Sequence, residues 1–136
     1  MSQDDDIALI RSGYELWGRG EFEQALALMH PEVEWIPPAY APEPGPHRGH
    51  DAVRRGIDAY FQGFAEFRPE IAEIRPTDRP GTYLAEVQTY TKGRTSGIES
   101  TIDVLHLIEV RDGKIARLQV FTDRDEALEA SGLSGS

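Results

Sequence analysis

Cysteine is absent from the 136 residues. That rules out disulfides, thiolate metal sites and a cysteine nucleophile. Long apolar runs are also missing, and none approaches the ~20 residues that span a bilayer. Met1 to Asp6 has neither the basic nor the apolar stretch of a signal peptide, so a cytoplasmic protein is expected. Cations are few: 14 Lys and Arg against 24 Asp and Glu give a formal charge of −10. That balance argues against nucleic acid and anionic membranes as partners, because both reward clustered Lys and Arg. There is no G-x-S-x-G, no P-loop and no G-x-G-x-x-G, and no helix follows Gly93 to Gly97 to make it a phosphate cradle. No cofactor and no metal is expected.

What is present is organised around residues 98–123. Two β-branched, apolar runs, 98–110 and 115–123, flank Asp112-Gly113. This dipeptide suits the positive φ values of a type I′ turn and is a strong hairpin signal. A two-residue loop pairs Arg111 with Lys114 and Val110 with Ile115, and carries the register back to Asp103 opposite Thr122. Successive residues then point to opposite faces. One face holds Asp103, Leu105, Leu107, Leu118, Val120 and Thr122 and is read as inner. The other holds Val104, His106, Ile108, Arg117, Gln119 and Phe121 and is read as an outer or subunit-contact face.

Upstream, Asp4 to Trp17 reads as a helix, with Ile7, Ile10, Tyr14 and Trp17 at helical spacing and Ser2 or an early Asp as cap. Glu21 to Met29 reads as a shorter helix that Pro31 stops. Val33 to Ile36 reads as a short strand. Pro37 to Gly49 holds five prolines and two glycines, which makes it a loop or an edge. Asp51 caps a third expected helix, Ala52 to about Ala65, whose stripe is Val53, Ile57, Tyr60, Phe61 and Phe64. Glu70 to Arg75 and Thr82 to Thr91 read as strands. Asp123 caps a last helical turn, Arg124 to Ala130. The expectation is one α+β domain over 1–136 with an ordered core of about 4–130 and a flexible tail, 131–136. Helices segregate to one side of a strongly curved antiparallel or mixed sheet, as a cone.

The segments Tyr14-Glu-Leu-Trp-Gly-Arg-Gly-Glu-Phe22, Pro31-Glu-Val-Glu-Trp35, His47-Arg-Gly-His-Asp-Ala-Val53, Gly93-Arg-Thr-Ser-Gly97 and Val110-Arg-Asp-Gly-Lys-Ile115 leading to Phe121-Thr-Asp-Arg-Asp-Glu-Ala-Leu128 resemble, in their order and spacing, the nuclear-transport-factor-2-like superfamily. Within it they resemble the SnoaL-like, polyketide cyclase-like branch. The resemblance implies a cone with a cavity under its helices and, commonly, a homodimer through the sheet. The superfamily's ketosteroid isomerases place a base carboxylate just after the first strand, where Ile36 or Pro37 stands here. Their oxyanion donors are a Tyr on the first helix, within one position of Tyr14, and an acid on the penultimate strand, where Leu105 stands. Its epoxide hydrolases use a carboxylate near Val120 and an Arg-x-Asp, of which Thr101-Ile-Asp103 keeps only the Asp.

Two readings of function follow. In the first, the cone binds a small apolar or aromatic molecule. Trp17, Trp35, Tyr60, Phe61, Phe64, Leu105, Val120 and Thr122 line its pocket, Tyr14 offers a hydroxyl, and Asp103 is the ionisable group for cofactor-free cyclase- or isomerase-type proton transfer. In the second, the chain is a non-catalytic homodimer with a self-filled cavity, and His106, Arg117, Gln119 and Phe121 form its contact face. Asp103 can equally sit at a strand end, paired with Thr122 or water. His47, His50 and Asp51 carry the ligand types of a cation site, but their Pro-rich setting favours a surface loop with an Asp helix cap. His30 suits a helix C-terminus.

Overall fold

The computed structural model describes residues 2–38 and 40–132. Helix α1 spans Gln3–Gly18. Ser2 caps it by accepting from the Asp5 amide, and the Asp5 carboxylate accepts from the Ser2 amide in return. This capping box satisfies two of the amides that a helix start leaves without partners. Ile10, Tyr14 and Trp17 recur every three or four residues and are buried together.

Helix α2 is shorter than expected, Phe22–Ala27. Strand β1 begins at once, Met29–Ile36, and runs through Pro31. Met29, expected to end the helix, and His30, expected just past its end, therefore extend the strand, and His30 is not a helix-terminal cation. Its Nε2 lies 3.5 Å from the Asp112 carboxylate in the hairpin turn. Strand β2, His47–Arg48, pairs antiparallel with β1. Helix α3 spans His50–Phe61 with Gly49, not Asp51, at its cap position.

Phe64, expected at the end of that helix, instead opens strand β3, Phe64–Pro76. Gln62 and Gly63 separate the two elements, and an exposed glycine is a poor continuation of a helix. Strands β4, Thr82–Gly93, β5, Glu99–Arg111, and β6, Lys114–Phe121, complete one sheet in the order β2-β1-β6-β5-β4-β3. Among the described residues only the β1–β6 pair is parallel. Helix α4, Arg124–Ser131, is capped by Asp123 and ends at Gly132, whose φ is 77°. Helix α4 thus includes Ser131 of the expected tail; residues 133–136 lie outside the described residues.

Register shifts occur twice between β3 and β4, once between β5 and β6, and once between β1 and β6. Bulges bend and twist the strands that carry them, so the sheet curls around α1 and α3. The concave side holds the main core, with Ile10, Val53, Ile57, Tyr83, Ala85, Val87, Ile108 and Leu118. Each large apolar side chain buried this way contributes about 1.5–3 kcal/mol. Among the polar contacts that cross this core, the Tyr83 hydroxyl donates to the Asp6 carboxylate at 2.6 Å. Helix α4 covers the convex side, where Leu84, Leu105, Leu107, Ala127 and Leu128 make a smaller cluster. No helix among the described residues is long and apolar enough to cross a membrane.

Candidate functional site

The hairpin forms with Asp112 at φ 55° and Gly113 at φ 72°, as the Asp-Gly turn requires. Arg111 faces Lys114 and Val110 faces Ile115. The next pair is Glu109 with Arg117, so Ala116 has no partner on β5. That single bulged residue overturns the expected register. Ile108 faces Leu118, His106 faces Val120, and Leu105 faces Phe121.

The consequence is a swap of faces along β5 alone. Leu118 and Val120 point to the concave side, as expected. Val104, His106 and Ile108 join them there, although they were assigned to the outer face. Leu105 and Leu107 point to the convex side, under α4. Leu105 is therefore not a cavity residue. Asp103 is exposed on the convex side, in a shallow depression with Glu70, Glu86, Gln88 and Arg124. Thr122 is exposed beyond the end of β6. Neither reaches the cavity, so the one carboxylate expected there is absent from it.

The concave side leaves a cavity of about 280 Å³ between the sheet, α3 and the loop after β1. Trp17, Trp35, Tyr60, Phe61, Phe64 and Val120 line it, with Phe67, Val104 and His106 that sequence reasoning missed there. Thr89, Thr91 and Ser100 bring hydroxyls, and Pro38, Tyr40 and Ile102 stand at its rim. Tyr40 and Ile102 are 59% and 42% exposed, which marks the opening. The aromatic rings interlock edge to face, Tyr60 against Trp35, Phe61, Phe64 and Phe67. Such contacts make a stiff apolar wall. No Asp, Glu, Lys or Arg lines the cavity among the described residues.

The polar centre of the wall is His106, 7% exposed. Its Nδ1 is hydrogen-bonded to the Tyr14 hydroxyl. Tyr14 itself does not line the cavity; it stands behind the imidazole, against a small void with Gly13, Ala25, Met29, Ile115 and Leu118. Burial disfavours the charged forms of both groups. It pushes the His106 imidazolium down to about 3 and the Tyr14 phenol well above its ordinary value. Both are neutral near pH 7. Burial, and secondarily the hydrogen bond that its hydroxyl donates to Tyr40, also raises Tyr60. Trp35 carries a buried Nε1–H with no acceptor among the described residues.

The remaining histidines do other work. His47 stacks on Trp35 from behind, and its Nε2 is bonded to the Glu43 carbonyl oxygen at 2.6 Å. His50 Nε2 is 3.0 Å from the Met29 carbonyl oxygen. The two rings thus serve different partners, and no group of three His, Cys, Asp or Glu that could hold a metal ion occurs among the described residues. On the convex side, Glu34 accepts from both Arg48 and Arg117, which hold its carboxyl below the usual range.

The family model of the SnoaL-like domain matches residues 10–118. No curated protein matches the chain significantly. Solved structures of similar fold include a nuclear-transport-factor-2-like protein of unknown function from Burkholderia pseudomallei, 21% identical with a TM-score of 0.79 over 96% of this chain and 98% of that one. TerC, co-crystallised with polyporic acid, is 22% identical with a TM-score of 0.77 over 93% and 97%. A Mycobacterium tuberculosis protein in complex with estradiol-17β-hemisuccinate is 17% identical with a TM-score of 0.74 over 89% and 95%.

Proposed function

The chain belongs to the SnoaL-like domain family, and on that premise we propose that its cone binds a small, neutral, largely apolar molecule, with His106 as the polar anchor. The observation that carries this reading is the cavity itself: aromatic walls, an open rim and one imidazole whose Nε2 has no partner among the described residues. Mostly apolar walls with a few fixed polar groups are the usual makeup of a small-molecule site. At about 280 Å³ the space sits at the small end of such sites and suits a compact ligand of two or three rings. The ligands in TerC and in the Mycobacterium tuberculosis protein, polyporic acid and estradiol-17β-hemisuccinate, lend support from the same fold.

Cofactor-free proton transfer of the cyclase or isomerase kind needs a base near the reacting carbon. The wall offers His106 and no carboxylate, since Asp103 lies on the convex side. The site therefore supports holding and polarising a ligand more directly than abstracting a proton. A self-filled cavity has less support, because the rings leave an open space. Dimerisation through the convex sheet face also has less support than the sequence suggested. His106 is not on that face, α4 covers Leu84, Leu105 and Leu107, and an ion-pair chain of Arg48, Glu34, Arg117 and Glu109 occupies much of the rest.

Titration with fluorene, a rigid apolar three-ring probe, followed by tryptophan fluorescence or calorimetry, tests the reading. The wild-type chain binds it saturably. Ile102→Trp, which fills the rim at a half-exposed position, weakens binding at least tenfold with an unchanged melting temperature. Equal binding by both proteins would place the probe elsewhere and overturn the proposal.

A further inference from the structure

We infer that Tyr14 sets the tautomer of His106, and that the cavity consequently selects ligands carrying a carbonyl-type acceptor oxygen. This rests on the reading that the cavity holds small molecules, and it specifies what they present to the inner wall.

The argument is a proton count. A neutral imidazole carries one ring proton, on Nδ1 or on Nε2, and the partner of one nitrogen decides the other. Tyr14 has one hydrogen-bond partner, His106 Nδ1. Were the ring proton on Nδ1, it would donate to the Tyr14 oxygen, and the hydroxyl proton would be left in the core with no acceptor among the described residues. An unmet buried donor costs about 1–3 kcal/mol. With the ring proton on Nε2, the hydroxyl donates to Nδ1 and nothing is left over. Nε2–H then meets no acceptor among the described residues, although the ring lines the cavity and Nε2 is not among the fully enclosed unpartnered atoms.

The wall's other polar groups fit this direction. Thr89, Thr91, Ser100, Tyr40 and Tyr60 are hydroxyls that rotate to give or to accept. Besides His106, the side-chain nitrogens on the wall belong to Trp17 and Trp35, and an indole can only donate. The fixed character of the site is therefore that of a donor. A carbonyl oxygen supplies what the wall lacks and brings no proton to place. Tyr14 is a positioning residue, acting on the ligand only through the imidazole.

The test compares 9-fluorenone with fluorene, two probes of nearly one shape that differ by a carbonyl. In the wild-type chain fluorenone binds about five- to tenfold more tightly, the worth of one ordinary hydrogen bond. In Tyr14→Phe the fluorene affinity is unchanged, while the ratio falls about twofold as the two tautomers mix. The double variant Tyr14→Phe/His106→Phe, which removes both polar partners together, brings the ratio to about one. Long-range ¹⁵N NMR of the histidine rings reads the tautomer independently of ligand and of any variant. It shows Nε2 protonated and Nδ1 unprotonated in the wild type, and averaged nitrogens in Tyr14→Phe. A protonated Nδ1 in the wild type, or a ratio that Tyr14→Phe leaves untouched, overturns the inference. Equal affinities for the two probes sink this inference alone, whereas binding of neither sinks the cavity reading with it.

Discussion

Lowering the pH from 7.5 to 5.0 should cost this fold stability through His106. The imidazole is neutral in the folded state because burial pushes it down to about 3, against 6.5 for a free side chain. Between those values the unfolded chain holds a proton on His106 that the folded chain does not. Unfolding therefore takes up a proton, and stability falls as pH drops below 6.5 and levels off only below about 3. Each pH unit inside that window removes about 1.4 kcal/mol, so at pH 5.0 the loss from this one group is about 2 kcal/mol. The acidic chain confuses a single measurement, since carboxylates titrate in the same range. The assay is urea unfolding at both pH values for the wild type and for His106→Asn, whose side-chain oxygen can still accept from Tyr14. The pH dependence of the wild type should exceed that of the variant by about 2 kcal/mol. Parallel pH profiles would mean that His106 titrates normally and is not walled off as described.

Four further outcomes follow from particular contacts. Deleting Ala116 removes the bulge and forces either His106 or Leu118 and Val120 out of the core; circular dichroism should show loss of cooperative unfolding, while Ala116→Ser should leave the melting curve nearly intact. Tyr83→Phe strips the Asp6 carboxylate of its buried donor and should lower stability by about 1.5–3 kcal/mol in urea unfolding. Gly113→Ala strains a position at φ 72° and should cost about 1 kcal/mol or more by the same assay. Leu107→Ala, in the cluster under α4 and away from the cavity, should cost about 2–5 kcal/mol yet leave fluorene affinity unchanged.

Much of the fold was legible because its signals are local. The Asp-Gly turn, the Asp123 cap and the Ile10, Tyr14, Trp17 spacing each depend on a few neighbouring residues, and each forms as read. The helical part of the aromatic wall was legible for the same reason, since Trp17 on α1 and Tyr60 and Phe61 on α3 stand at helical spacing toward the sheet. The site's polar centre was not. Which face of β5 looks inward depends on one unpaired residue, Ala116, and alanine carries no mark of a bulge. Alternation along β5 gave no help either. Val104, Leu105, His106, Leu107 and Ile108 are all buried, because the concave core takes one face and α4 the other. The two registers differ in what they pair: the expected one sets Asp103 opposite Thr122, whereas the observed one turns His106 to Tyr14. The end of α3 was missed by a similar margin, as Phe64 continues the apolar stripe but stands on β3.

A crystal structure of the chain with 9-fluorenone tests the central claim most directly. The account predicts the ring system between Trp35, Tyr60, Phe64 and Val104, with the carbonyl oxygen about 3 Å from His106 Nε2. Density on the convex face, or a cavity closed by its own side chains with the probe excluded, would contradict it.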